Sequence, residues 1–176
     1  MLMEIEESIF YFFHDTCRHA TLDYLMPILT ELASGKFLFV VALCMLLFRR
    51  KRVKISAILL MAGMTLSYNV VKVLKHLIAR PRPPVALPEV EALLRTGGFA
   101  LPSGHASMAF MAAAILTSCF GKWYIFYTFA TIVAISRVYC GVHFPLDVVA
   151  GAFLGTFIGY ALVYIASSTK VYSEKD

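Results

Sequence analysis

The chain has 176 residues, of which 60% are hydrophobic and 15% are charged, and its formal net charge is +5. This composition is far more apolar than that of a soluble domain and indicates an integral membrane protein, with one domain over 1–176. The basic residues are divided among loops between apolar segments, which argues against a nucleic-acid-binding protein.

Apolar segments follow one another along most of the chain. Residues 4–13 alternate acidic and aromatic side chains at helical spacing, which predicts an amphipathic helix lying in the membrane interface. The candidate transmembrane segments are 21–34, 36–48, 53–74, 105–121, 123–140 and 146–166. The predicted fold class is therefore all-α, an integral membrane bundle of about six transmembrane helices. The short Gly121–Lys122 connection predicts a helical hairpin from the fourth and fifth spans.

The basic loop residues predict the orientation of the bundle. One side receives Arg49, Arg50, Lys51, Arg52, Lys54, Lys122, Lys170 and Lys175 if the spans alternate. By the positive-inside rule that side is the cytoplasm of an inner or plasma membrane. The periplasmic or exterior side then receives Lys75, Arg80, Arg82, Arg95 and Arg137. This second basic group opposes the rule, and an anionic ligand at the outer face would account for it.

Three short motifs meet on that outer side. In "KHLIARPRP", Lys75 and Arg82 flank the end of the third span, where prolines stop the helix. In "LPSGHAS", Ser103 and Gly104 lead into a helix at His105, and the free amides of a helix start suit a phosphate.

The third motif, "SRVYCGVHFPLD", places three ionisable residues beside the sixth span. Arg137 ends the fifth span, His143 lies in the loop, and Asp147 follows one helical turn later. Ionisable residues at membrane depth are by default a functional hypothesis. The three motifs together predict a site of cations, histidines and a carboxylate at one depth.

Three spacings together resemble a known signature: Lys75–x6–Arg82–Pro83, Pro102–Ser103–Gly104–His105 and Ser136–Arg137–x5–His143–x3–Asp147. The signature is the one found in the type 2 phosphatidic acid phosphatase family, whose superfamily includes vanadium haloperoxidases. The resemblance implies an integral-membrane lipid phosphatase that uses neither a metal nor another cofactor.

The same resemblance implies a role for each residue. His143 is the nucleophile that forms a phosphohistidine, Asp147 orients its ring, and His105 protonates the leaving oxygen and then activates water. The implied ligands of the phosphate oxygens are Lys75, Arg82, Arg137, the Ser103 hydroxyl and the Gly104 amide.

The substrate is only coarsely predicted. By analogy with small bacterial members and from the outer-face placement, we expect lipid A 1-phosphate or undecaprenyl pyrophosphate ahead of phosphatidylglycerophosphate and phosphatidic acid. The loop 84–101 is expected to lie over the site, with Arg95 as the main candidate for headgroup choice and Arg80 as a possible second contact. The predicted partners are the lipid substrate and the bilayer, and no obligate protein partner is inferred.

Three alternatives fit single features of the sequence. His105, His143 and Asp147 could form a two-histidine, one-carboxylate metal site, but the neighbouring cations would repel a divalent ion. A serine hydrolase centred on Ser103 lacks the G-x-S-x-G elbow. A phosphate-binding membrane transporter could use the same cations, although binding alone does not require two histidines and an aspartate.

Overall fold

The structure is a computed structural model that describes residues 2–168. Helix α1 spans Leu2–Tyr11 and continues as a π-helical turn over Phe12–Thr16. The helices that follow are α2 Ala20–Glu31, α3 Gly35–Leu46, α4 Lys51–Ile78, α5 Pro83–Ala86, α6 Gly104–Phe120, α7 Trp123–Tyr139 and α8 Pro145–Ser168. Within residues 2–168 there is no β-strand, and the all-α prediction is confirmed.

The helix boundaries follow from local sequence. Ser34 and Ser103 are N-caps whose side chains accept hydrogen bonds from the amides of Phe37 and Ala106, respectively. Helix α4 stops at Ala79, which adopts a left-handed φ of 50° before the proline-rich segment. Gly121 has a φ of 72°, which closes the tight α6–α7 connection. The predicted hairpin is confirmed, since α6 and α7 pack against each other.

Helix α6 lies at the centre of the bundle, in contact with α4, α7 and α8. It approaches α8 closely because α8 turns Gly151, Gly155 and Gly159 toward it. A Cβ at Gly151 would lie 2.5 Å from the Ser103 carbonyl oxygen, and one at Gly155 would overlap the backbone of Ser107. This close packing fixes the start of α6 beside the start of α8.

An apolar core fills the end of the bundle that lies away from the three motifs. Leu60 of α4, Met111 and Ile115 of α6, and Ile158 of α8 are buried there. At the same end the Arg52 guanidinium donates to the carbonyl of Ser118. The basic cluster at 49–54 therefore lies at the end opposite the motifs, as predicted. Lys170 and Lys175 lie outside the described residues.

The count of six spans is not confirmed. Among the described residues, Lys51–Ala86 and Pro145–Ser168 are long and apolar enough to cross a membrane, and α6 is a shorter apolar helix. Helices α2 and α3 meet that test only as a pair, bent by 55° at the break between them. Each has 12 residues, about 18 Å, which is shorter than a hydrocarbon core of about 30 Å.

Helix α1 is amphipathic, with Glu6 and Phe10 buried and Met3, Ile5 and Ile9 exposed. Its buried side covers the end of the bundle that carries the motifs, where Glu6 contacts Arg80 and the amide of Leu146. The predicted helix over 4–13 is therefore present, with an apolar outer side that could contact a bilayer.

Candidate active site

Four helix ends converge to form the candidate site. The end of α4 and the following segment supply Lys75 and Arg82, and the start of α6 supplies His105. The last turn of α7 supplies Arg137, and the first turn of α8 supplies Asp147. His143 lies between the last two helices.

His143 is buried at 2% exposure and lies between a cation and a carboxylate. Its Nε2 is 3.3 Å from Nη1 of Arg82, and its Nδ1 is 3.5 Å from Oδ2 of Asp147. A guanidinium can only donate, so Nε2 accepts and the ring proton is assigned to Nδ1, facing Asp147. The Nε2 lone pair therefore faces the cluster of cations.

Burial lowers the pKa of His143 well below its usual value, and the charges of Arg137, Arg82 and Lys75 lower it further. The imidazole is consequently neutral at physiological pH. A neutral ring has the free lone pair that a nucleophile requires.

Asp147 is completely buried and its carboxylate is held on both oxygens. Oδ2 accepts from the Phe144 amide at 2.8 Å, and Oδ1 accepts from Nη1 of Arg80 at 2.8 Å. The 3.5 Å separation from His143 Nδ1 is longer than a hydrogen bond, but such contacts often tighten when a substrate binds.

The loop 84–101 lies over the site and holds two of its cations through backbone carbonyls. Lys75 Nζ donates to the carbonyls of Phe99 and Ala100, the latter at 3.0 Å. Arg82 Nε donates to the carbonyls of Gly97 and Gly98 at 3.2 and 3.1 Å. These bonds orient the two cations and leave their positive charge uncompensated by the loop.

Arg137 is 2% exposed and receives its support from an unexpected helix. Its Nη1 donates to Oγ1 of Thr30 on α2 at 2.9 Å. Two atoms of the site, Nε of Arg137 itself and Nε2 of His105, are buried without a hydrogen-bond partner among the described residues. Buried polar atoms are rarely unpaired in folded proteins, so a bound anion is a natural partner for them.

A groove of about 370 Å³ opens beside His105 on the flank of the bundle. Besides Lys75 and His105, its lining includes Tyr68, Lys72 and His76. Arg95 instead lines a separate cavity of about 400 Å³ together with Arg82. Arg80 faces neither, because its guanidinium lies between the carboxylates of Glu6 and Asp147.

Two contributors to this region were missed by sequence reasoning, Glu6 and Thr30. Both lie on helices far from the motifs along the chain, and no local pattern marks them. No group of three or more histidine, cysteine, aspartate or glutamate side chains within residues 2–168 is arranged to hold a metal ion.

Residues 56–170 match the PAP2 superfamily model. The chain belongs to the PAP2 superfamily. It is 35% identical over 156 residues to the undecaprenyl-diphosphatase of Sulfolobus acidocaldarius, covering 85% of this chain and 73% of that protein. The PAP2 homologues are lipid phosphatases, and this chain is likewise a lipid phosphatase.

Two crystal structures share the fold. Aquifex aeolicus LpxE superposes with a TM-score of 0.79 at 31% identity, over 89% of this chain and 93% of that one. A transmembrane PAP2-type phosphatidylglycerolphosphate phosphatase from Bacillus subtilis gives a TM-score of 0.80 at 26% identity, over 95% and 87% of the two chains.

Proposed function

We propose that this PAP2 protein removes a phosphate from a membrane lipid through a phosphohistidine at His143, without a metal ion. The observation that carries the proposal is the position of His143 Nε2, which accepts from Arg82 while Nδ1 faces Asp147. That arrangement supports a neutral nucleophile beside cations that can bind the phosphate.

In the first step, the Nε2 lone pair of His143 attacks phosphorus as the bond from phosphorus to the lipid oxygen breaks. Protonated His105 donates its proton to the departing oxygen. The charge on the three equatorial oxygens of the phosphate is stabilised by Lys75, Arg82 and Arg137. Two further contacts to these oxygens come from the Ser103 hydroxyl and the Gly104 amide. Asp147 supports the positive charge that develops on the His143 ring.

In the second step, neutral His105 accepts a proton from water as the water oxygen attacks phosphorus. The bond from phosphorus to Nε2 breaks, inorganic phosphate leaves, and His143 is neutral again. His105 has regained the proton that it gave away, so the cycle is balanced.

The flank groove supports a lipid substrate. It runs beside His105, the proposed proton donor to the leaving group, and its lining includes Tyr68 and Val71. A lipid tail could lie along the bundle while its phosphate reaches the cations. We place the leaving group in this groove and the attacking His143 on the opposite side of phosphorus.

Undecaprenyl pyrophosphate is our first candidate substrate, with lipid A 1-phosphate second. The Sulfolobus relative bears the name of a diphosphatase, and Lys72 and His76 add hydrogen-bond donors to the groove beyond the proposed phosphate ligands. When the terminal phosphate of a diphosphate lipid is transferred, the leaving group is the lipid monophosphate, whose negative charge such side chains would stabilise. The Bacillus subtilis neighbour supports phosphatidylglycerophosphate as the alternative. Phosphatidic acid is a further alternative from the sequence resemblance alone.

The placement that we propose is a multi-pass protein of the inner or plasma membrane with this site at the periplasmic or exterior face. The basic cluster at 49–54 lies at the opposite end of the bundle, which supports a cytoplasmic location for that end. A phosphate-binding transporter would need the same cations but no reactive His143.

The test is phosphate release by purified protein from undecaprenyl pyrophosphate, lipid A, phosphatidylglycerophosphate and phosphatidic acid, with EDTA present throughout. We expect release by wild type, loss of at least about 1,000-fold in His143→Ala, and the highest kcat/KM for the diphosphate. Substrate labelled on its terminal phosphate should leave acid-labile, base-stable label on wild type quenched during turnover and none on His143→Ala.

His19→Ala is the matched control, because His19 is exposed and its ring accepts from the Thr21 amide rather than contacting the proposed catalytic residues, so its loss should leave turnover intact. Dependence of wild-type turnover on a divalent ion would contradict the metal-free reaction. Binding of lipid phosphate without release of phosphate would favour the transporter.

A further inference from the structure

The N-terminal helix reaches the catalytic carboxylate through a single arginine. Oε2 of Glu6 accepts from Nη2 of Arg80 at 2.6 Å, and Nη1 of Arg80 donates to Oδ1 of Asp147 at 2.8 Å. The other oxygen of Asp147 faces His143 Nδ1. Glu6, Arg80, Asp147 and His143 thus form a continuous chain of polar contacts.

We propose that Glu6 is a positioning residue for the nucleophile, acting through Arg80 on the carboxylate of Asp147. The inference rests on the proposed function of His143. It extends the site to a helix that lies outside the three motifs and assigns Arg80 to the support of Asp147 rather than to the substrate.

Because these polar contacts are largely buried, they differ from an exposed surface ion pair. Glu6 is 6% exposed and Asp147 is fully buried, while the side chain of Arg80 is 23% exposed. Arg80 also lies 4.6 Å from the centroid of the Phe144 ring, and Phe144 packs on Phe10 of α1. The guanidinium is therefore restrained on several sides, with little freedom to leave the carboxylates.

Glu6 also holds the start of α8 directly. Its second oxygen, Oε1, accepts from the amide of Leu146 at 3.0 Å, one residue before Asp147. The amide at a helix start has no partner within the helix, so Glu6 serves as an external cap for it. One side chain therefore fixes both Arg80 and the backbone next to Asp147.

The charges suggest why a second carboxylate is useful. Arg80 alone would neutralise Asp147, and little negative charge would remain for the His143 ring. With Glu6 present, Arg80 is shared between two carboxylates and the group keeps a net charge of about −1, by counting formal charges. That remaining charge stabilises the cationic ring while phosphorus is bonded to Nε2.

The experiment uses the lipid that wild type hydrolyses best and compares kcat and KM of wild type with those of four variants. These are Glu6→Gln, Glu6→Ala, Arg80→Ala and the double variant Glu6→Gln/Arg80→Ala. Glutamine keeps an oxygen for the Leu146 amide but removes the charge. We expect roughly a 10-fold fall in kcat for Glu6→Ala and roughly a 5-fold fall for Glu6→Gln, with KM changed less than about 2-fold. Glu7→Ala is the matched control, since it removes a neighbouring carboxylate of α1 that is not part of the polar chain.

The double variant tests the route of the effect. If the charge of Glu6 acts through Arg80, Glu6→Gln, which keeps an oxygen for the Leu146 amide, should lower kcat by less than about 2-fold in the Arg80→Ala background. Independent, multiplying effects would overturn the proposal, as would a wild-type kcat in Glu6→Gln or a change confined to KM. Should Glu6→Ala fail to fold, Glu6→Gln decides by itself. An inactive wild type would instead refute the proposed function.

Discussion

At the scale of single residues, Arg137 shows how far the candidate site depends on contacts outside the motifs. Its guanidinium is buried and donates to the side chain of Thr30, on a helix more than 100 positions earlier in the chain. The Ser-Arg motif predicts that a cation lies here, because the residue ends an apolar span. It contains no information about which side chain orients that cation.

Thr30→Val is predicted to weaken phosphate binding. Valine has nearly the same shape, but it leaves Nη1 of buried Arg137 without its acceptor, which costs about 1–3 kcal/mol. The guanidinium should then lose its fixed orientation. We expect kcat/KM to fall roughly 10-fold, with a parallel rise in the inhibition constant of inorganic phosphate.

Thr131→Val is the control for this substitution, because Thr131 is exposed and its hydroxyl donates to the carbonyl of Tyr127 within α7. Its kinetics should match wild type. Unchanged phosphate inhibition in Thr30→Val would show that Thr30 does not orient Arg137.

At the scale of helices, the sequence predicts those parts of the site whose geometry is local. Proline ends α4 after Lys75, serine caps α6 before His105, and the His143–Asp147 spacing is one helical turn. Each of these follows from neighbouring residues. The contacts of Glu6 and Thr30 depend on which helices pack together, and that packing is not encoded in a short motif.

The glycines of α8 are an intermediate case. Gly151, Gly155 and Gly159 recur every four residues, a pattern that indicates close helix packing in membranes. The pattern could have predicted a tightly packed face on α8, but not that the partner is α6. The contact matters for the site, since the Ser103 amide donates to the carbonyl of Asp147 at 2.8 Å.

Gly155→Val is predicted to damage both stability and activity. The valine side chain would overlap the Ser107 backbone, and such overpacking costs about 1–3 kcal/mol of stability. The helices must separate, which shifts Asp147 relative to His105. We expect a lower Tm in detergent and at least a 10-fold loss of turnover, an estimate from the cost of misplacing catalytic groups by about 1 Å.

Val149→Phe tests whether any enlargement of α8 has this effect, because Val149 is 47% exposed on the outside of the bundle. We expect wild-type Tm and turnover. If Gly155→Val were equally harmless, the α6–α8 contact would not control the geometry of the site.

At the scale of the whole molecule, the position of α1 bears on the topology. Six alternating spans would leave α1 on the side of the basic cluster at 49–54. The structure instead has Glu6 in contact with Arg80, at the opposite end. One crossing by the bent α2–α3 pair accounts for this, because it leaves α1 and the candidate site on the same face. We therefore propose five crossings, with α8 ending on the side of the basic cluster.

Cysteine labelling in intact cells separates the two topologies. With Cys17, Cys44, Cys119 and Cys140 replaced by alanine and activity verified, Ser8→Cys on the exposed side of α1 should react with a membrane-impermeant maleimide. Ser168→Cys, at the far end of the 24-residue α8, about 36 Å from its start, should react only after permeabilisation. Six crossings would protect both positions, because both would then face the cytoplasm. Labelling of Ser8→Cys alone would place α1 at the exterior face, which is the face proposed for the candidate site, as the contact of Glu6 with Arg80 requires.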